Sequence, residues 1–249
     1  MNTFPANKKP KWLIEEILRL GGNISFYDYM KIVLNDPDNG YYGSGKVKIG
    51  PKGDFVTSPS LSDDFSFLLA KQIEQWLIQF SIKFISNQRL SILEFGAGDG
   101  SLLDGVINYL LINNENLLKK VSFIILEPNK GMIHKQEKKL KNHLKLGVNI
   151  KWKNLDDLDE DSLNGIIIAN EVLDAFPVER LISSKGKLFR QGVSFDKDKE
   201  SLFFNSLSIT EPLKKSILAA EKEFGIDIPP KDAPDGWTTE WHVDNSEWL

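Results

Sequence analysis

Acids and glycines at short, fixed intervals are the residues of this chain best suited to chemistry. Glu94, Gly96, Gly98 and Gly100 stand at the spacing E-x-G-x-G-x-G within LSILEFGAGDGSLLDG, residues 90–105. Ser91 to Leu93 and Phe95 read as a short buried strand, and a helix-like run follows the glycines. Such a turn lets a ligand approach the backbone, and the helix N-terminus behind it offers unpaired N–H groups. The spacing is not the G-x-G-x-x-G of dinucleotide sites, because the third glycine comes one residue early and an acid precedes the first. Both differences favour S-adenosylmethionine, which has no pyrophosphate and carries an ammonium and a sulfonium that an acid near Glu94 would attract. The same pattern also suits a tight turn in any α/β domain.

Two further acidic positions follow strands. Val121 to Leu126 is a continuous apolar run ending in Glu127-Pro128, and an acid at the tip of the second strand is where doubly wound folds bind ribose hydroxyls. Gly165 to Ala169 runs into Asn170, Glu171 and Asp174, which arrive at the carboxyl end of the fourth strand, beside a methyl donor. A helical turn starting there would put both carboxylates on one face, although acids at a helix start also simply complement the macrodipole. Polar residues 154–158 lie near where an adenine would be held. Gly40 to Pro59 holds five glycines and two prolines and is read either as a structural connection or as a lid whose Tyr41, Tyr42, Asp54 and Thr57 face the ligand.

The elements that must position these groups are legible in the apolar periodicity. Trp12 to Leu20 is helical, and Ser25 caps a second helix with Phe26, Tyr29, Met30 and Val33 as its buried face. Ser62 to Phe80 is an amphipathic helix burying Phe65, Leu68, Leu69, Ile73, Trp76 and Leu77. Leu102 to Ile112, Lys130 to Leu144 and Glu211 to Phe224 are helices, and Asn149 to Trp152 is a third strand. Val178 to Ser183, Lys187 to Phe195 and Ser201 to Leu207 read as antiparallel strands, an insertion over 178–207. Ser246 to Leu249 reads as the start of a further element. The division expected is residues 1–85, helices and a cofactor-covering loop, and residues 86–249, a Rossmann-like core.

Composition narrows the classes. With 249 residues, 41% of them hydrophobic, the chain can bury a core, and a net charge of −4 gives no basic field for nucleic acid. Only four of the 31 cations are arginine, so most are dispersed lysines. The absence of cysteine excludes disulfides, thiolate metal sites and a cysteine nucleophile. His134, His143 and His242 share no ligand spacing, and the first two, in a lysine-rich helix, are expected at the surface, with no metal site. No stretch reaches the ~20 apolar residues of a membrane span. A soluble cytoplasmic protein without nucleic-acid or membrane partners is expected.

Several blocks in order, ISFYDYM, PDNGYY, GDFVTSP, LEFGAGDGSLL, ILEPNKGMIHKQEKKL, NEVLDAFPV and DGWTTEW, resemble the MidA family of S-adenosylmethionine-dependent methyltransferases. Mitochondrial members of that family act on an arginine of a respiratory complex I subunit. The resemblance covers Trp12 to Leu249 and departs at Phe65-Ser66, where the family usually has glycine after the phenylalanine. It implies a class I methyltransferase fold, a doubly wound α/β sheet with an N-terminal helical lid and an antiparallel β insertion. The methionine and sulfonium portion of the donor would lie against Glu94, Gly96, Gly98 and Gly100, and the ribose on Glu127. Gly53, Asp54, Phe55, Thr57, Ser58 and Pro59 would line the donor pocket, with Asn170, Glu171 and Asp174 as catalytic residues. The family continues beyond position 249 with its last sheet strands, so strand four is expected as a bare edge through which a homodimer could form. The implied function is protein-arginine methylation; a non-catalytic donor-binding or interaction protein is the alternative, and a nicotinamide oxidoreductase a weaker third.

Overall fold

The computed structural model describes residues 10–83 and 89–243. In chain order these form α1 (Lys11–Arg19), β1 (Asn23–Ser25), α2 (Phe26–Asn35), α3 (Ser58–Leu61), α4 (Asp63–Lys83), β2 (Leu90–Phe95), α5 (Ser101–Asn113) and α6 (Glu115–Leu118). They continue with β3 (Val121–Leu126), α7 (Lys130–Lys145), β4 (Ile150–Lys153), β5 (Gly165–Ala169), β6 (Glu179–Ser184), β7 (Lys187–Asp196), β8 (Ser201–Leu207), α8 (Glu211–Phe224) and β9 (Thr238–Trp241). The final element expected at Ser246 to Leu249 lies outside the described residues, as does the 85/86 boundary. The chain divides into two compact units, Asn35–Ala175 and a second built from Met1–Leu34 with Phe176–Leu249.

The continuous unit is built on a parallel sheet in the order β4-β3-β2-β5, with Leu90 opposite Val121 and Ser91 opposite Gly165. Strands buried on both faces need near-continuous apolar runs, and VSFIIL is buried throughout. Successive residues of a strand point to opposite faces. Ile92, Phe123 and Ile125 accordingly pack with Ile73 and Leu77 of α4 and Leu103, Val106, Ile107 and Leu110 of α5, while Leu93, Ile124 and Leu126 form a smaller cluster. Among the described residues β5 has no partner on its outer side, and its Ile167 is 64% exposed.

Helix α4 buries only part of the stripe its sequence suggests, with Ile73 and Leu77 in the core and Leu69 packed against it as expected. Ser66, Ala70, Ile73 and Leu77 are inside, whereas Leu68 is 72% exposed and Phe65 and Trp76 are also exposed. Close approach to α5 decides this: a Cβ on Gly105 would lie 2.1 Å from Ser66 Oγ, so small residues define the contact and rotate the bulky ones outward. In α2 the packed residues are Phe26, Tyr29, Ile32 and Val33, with Ile32 in place of the expected Met30.

The second unit holds a five-stranded antiparallel sheet in the order β1-β7-β6-β9, with β8 also paired to β7. Its two chain segments are joined by β1 on β7, Asn23 opposite Ser194 and Ser25 opposite Gly192. Ser25 caps α2 as expected, its Oγ accepting from the Asp28 N–H at 3.0 Å. Leu13, Ile17, Ile24, Val193 and Leu202 form one core, and Leu181, Leu213 and Ile217 another. The Arg180 guanidinium lies 5.9 Å from the ring centres of both Phe26 and Phe204, a cation held between aromatic faces.

Candidate functional site

The carboxyl ends of β2, β3 and β5 carry all the acids singled out in the core. After β2 the chain turns through Gly96, Gly98 and Gly100 at φ +60°, +54° and +88°, values that a side chain would strain. The turn is held by Gly96 N–H donating to Leu126 O at 3.0 Å and Gly100 N–H donating to Ala97 O at 2.8 Å. A Cβ at Gly98 would lie 3.3 Å from Ile49 Cδ1, so a residue of the Gly40–Pro59 loop reaches this turn.

Glu94, one residue before the end of the same strand, is 3% exposed, and its Oε2 has no hydrogen-bond partner among the described residues. Burial, then the nearby Asp99 charge, pushes its carboxyl up to about 8. A buried acceptor of this kind is costly unless it keeps a proton or meets a donor or cation.

Glu127, 5% exposed, is better satisfied. Its Oε1 accepts from the Asn129 N–H at 3.0 Å and its Oε2 from Gln136 Nε2 at 3.0 Å. Burial raises its pKa against the opposing pull of those donors. Gln136 escaped sequence reading because a neutral residue in a lysine-rich helix carries no chemical signal. The available clue was its stripe, since Met132, Gln136, Leu140 and His143 recur at helical spacing and all four are buried. The surface expectation therefore fails for His143, whose Nε2 lies 2.7 Å from Asp104 Oδ1, and holds for the exposed His134.

The Gly40–Pro59 loop is fastened to α7. Gly131 N–H donates to Gly43 O at 3.0 Å, and Lys135 Nζ donates to Val47 O. Asp54 is exposed and serves the loop itself, its Oδ2 accepting from Tyr41 OH and from Lys48 N–H, both at 2.9 Å. The Lys48 N–H, then Tyr41, holds the Asp54 carboxyl below its ordinary value. Phe55 and Ser58 are exposed, Thr57 is half-buried and Pro59 is buried. Thr57 and Ser60 exchange hydrogen bonds at the start of α3, which packs on α5. Among these residues, Asp54, Thr57 and Ser58 thus shape the loop and α3.

Beyond β5, Asn170 is half-buried, and Glu171 and Asp174 are exposed. The expected helical turn does not start at Glu171, which has φ +52°; only a 3₁₀ turn forms, at Leu173–Ala175. The two carboxylates therefore do not share a helix face. Val172 is inside, 3.5 Å from where a Gly96 Cβ would be. Burial raises the Tyr42 phenol, and the charges of Asp174 and Glu127 add to the effect, so one loop tyrosine feels both acidic positions.

An adenosyl donor carrying an ammonium suits these residues. The partnerless Glu94 oxygen offers it an acceptor, the side-chain-free turn offers close backbone approach, and the fixed Glu127 carboxylate offers free lone pairs for hydroxyl donors. No group of three or more side chains that could hold a metal occurs among the described residues.

Comparison with known proteins agrees with this chemistry. A family model for S-adenosyl-L-methionine-dependent methyltransferases matches residues 68–249. The chain belongs to that family. Among curated relatives of the chain, the mitochondrial protein arginine methyltransferase NDUFAF7 homolog of Caenorhabditis elegans is 32% identical over 220 residues, covering 81% of this chain and 49% of the relative. Protein arginine methyltransferase NDUFAF7, mitochondrial, of Bos taurus is 26% identical over 178 residues, 64% of this chain and 39% of the relative. A Burkholderia thailandensis protein solved bound to S-adenosyl-homocysteine is 29% identical with a TM-score of 0.71, covering 96% of this chain and 59% of that one. The chain thus spans about half the length of the curated relatives it matches. The fold is that of class I methyltransferases, mixed α/β on a parallel sheet. The expectation of a cytoplasmic protein is overturned by the worm, cattle and human relatives, all named mitochondrial.

Proposed function

We propose that this chain binds S-adenosylmethionine at the carboxyl ends of β2 and β3 and transfers its methyl group to an arginine of a protein substrate, possible substrates including a respiratory complex I type subunit. The observation that carries the proposal is the strand, glycine turn and helix with a buried, partnerless Glu94 oxygen at its start and Glu127 at the adjacent strand end. Bound donor supplies a methyl carbon already activated by its sulfonium, so the chain's task is alignment, worth ~7–11 kcal/mol in favourable cases. Glu94 meets the ammonium, the turn of Gly96, Gly98 and Gly100 lies along the methionine portion, and Glu127 accepts from the ribose hydroxyls. Asp54, Phe55, Thr57, Ser58 and Pro59 belong to the covering wall, which Asp54 stiffens through Tyr41 and Lys48.

Asn170, Glu171 and Asp174 face the acceptor in this reading. An arginine guanidinium is planar and stays charged, and carboxylates from Glu171 and Asp174 hold it and enrich the attacking nitrogen. No strong base is required, because the proton can leave during or after transfer. The outer side of β5, unpaired among the described residues, and its exposed Ile167 support a second copy pairing along that edge.

Isothermal titration with S-adenosylmethionine and S-adenosylhomocysteine tests the donor site. Binding near −8 kcal/mol, a micromolar Kd, is expected. Gly98→Val should lose it, since a side chain there strains a left-handed backbone and meets Ile49. Absence of binding by a folded chain overturns the proposal. Glu171→Gln or Asp174→Asn should keep the titration and lose transfer to protein arginine; equal loss of binding would move those residues to the donor site.

A further inference from the structure

We infer that Gln136 is a positioning residue, one buried amide that locks the Glu127 carboxylate and the glycine turn into a single ribose-reading geometry. The inference rests on the donor-site reading above and deepens it. Gln136 is fully buried in the middle of α7 and makes three hydrogen bonds. Its Nε2 donates to Gly98 O at 2.9 Å and to Glu127 Oε2 at 3.0 Å, and its Oε1 accepts from Trp152 Nε1 at 2.9 Å.

The amide can face only one way. An indole N–H is a donor and nothing else, so Trp152 must meet the oxygen, and the two amide hydrogens must then meet the carbonyl and the carboxylate. Reversal would set donor against donor at Trp152 and oxygen against oxygen at the other two contacts. These three partners belong to β4, to the residue after β3 and to the turn after β2. A single side chain thus ties together the carboxyl ends of three adjacent parallel strands, where a ligand of such a sheet binds. With Oε2 held by Gln136 and Oε1 held by the Asn129 N–H, the carboxylate plane of Glu127 is fixed before any ligand arrives. Fixing Gly98 O also sets the orientation of the planar peptide that follows it.

The consequence is specific. Removing the amide leaves Glu127 present and held only through Oε1 by the Asn129 N–H, so what is lost is discrimination for ribose hydroxyls more than adhesion of the donor. A residue that merely fills the core would, on replacement, weaken every ligand alike.

The test titrates the full chain with S-adenosylhomocysteine and with its 2′-deoxy analogue, for wild type, Gln136→Met and Gln136→Glu. Wild type should prefer the hydroxylated ligand by about tenfold or more, the scale of one hydrogen bond to a charged group. Gln136→Met conserves volume, and its preference should shrink to within about threefold while its affinity for S-adenosylhomocysteine falls by about tenfold. Gln136→Glu puts a second carboxyl beside Glu127, and its acid limb of binding should move to higher pH than in wild type. Ligand-free protein gives an independent reading: amide exchange at residues 96–100 should quicken in Gln136→Met while that of Ile92 and Phe123 stays slow. Undiminished preference in Gln136→Met, or an unmoved acid limb in Gln136→Glu, overturns the positioning role while leaving the donor site intact. Failure of wild type to bind S-adenosylhomocysteine overturns the donor site itself.

Discussion

Glu94 is an acid whose burial works against folding and in favour of a cationic ligand. Its carboxyl, about 8 in the folded protein against 4.5 as the ordinary value, stays protonated at neutral pH where an unfolded chain has released the proton. The folded state binds more protons between those two values, so this residue's contribution to stability is intact below about 4.5 and is lost as pH rises through about 8. Glu94→Gln should therefore match wild type in stability at pH 4 and exceed it at pH 8.5, by up to roughly 4–5 kcal/mol as an upper bound, in denaturant titrations at the two pH values. The same acid should release a proton when an ammonium arrives. Titration of S-adenosylhomocysteine at pH 7 in buffers of different ionisation enthalpy should show that release in wild type and not in Glu94→Gln. Glu171 makes the opposite trade, holding φ +52° in an exposed turn. Glu171→Gly should relieve about 1 kcal/mol of backbone strain and raise Tm by about 2–4 °C, while transfer to protein arginine is lost. Stabilisation coupled to lost activity would identify the strain as functional.

Packing of α4 on α5 shows where element-level order is decided by absent side chains. Gly105 lies so close that an added Cβ would be 2.1 Å from Ser66 Oγ and 2.5 Å from Ser66 Cβ, but 3.8 Å from Ser66 Cα. Gly105→Ala alone should cost about 1–3 kcal/mol by overpacking, although alanine is the better helix former. In Ser66→Gly/Gly105→Ala both close contacts vanish, so the double variant should be more stable than the two single losses added together, measurable as a coupling of about 1 kcal/mol or more in a double-mutant cycle. The same contact explains what the sequence did not disclose. Periodicity located α4 and its inward Leu69, Ile73 and Leu77 but, by following the bulky residues, added Phe65, Leu68 and Trp76, which are exposed. Strands β3 and β5 were legible to the residue as continuous apolar runs, although only β3 is buried throughout and Ile167 of β5 is exposed. The three-residue β1 and the four-residue β9 were not, since their strand character comes from partners far along the chain, Ser194 for Asn23 and Glu179 for Trp241. At the site, acids and glycines announced themselves by type, whereas Gln136 acts only through what surrounds it.

Across the whole molecule, the acids and glycines assigned to the donor site and the Gln136 network all fall between residues 41 and 174, within the unit Asn35–Ala175. That unit is one uninterrupted stretch of chain, and the described members of its principal core, from Ala70 to Ile168, all lie within it. The other unit is discontinuous: Leu13, Ile17 and Ile24 come from its first segment, Val193 and Leu202 from its second, and β1 completes the edge of β7. Unequal dependence follows. A fragment of residues 35–175 should fold cooperatively, with coincident denaturant transitions by circular dichroism and Trp152 fluorescence, and should bind S-adenosylhomocysteine within about threefold of the full chain. A fragment of residues 176–249 lacks three of the five buried residues of its first core and leaves Gly192 to Ser194 of β7 without β1 on one side, so it should not fold by itself. Adding residues 1–34 through a flexible linker should restore its structure, because strand pairing and burial of Leu13, Ile17 and Ile24 can then be recovered. A 35–175 fragment that folds yet does not bind, beside a full chain that does, would show that residues outside this unit contribute to the donor site.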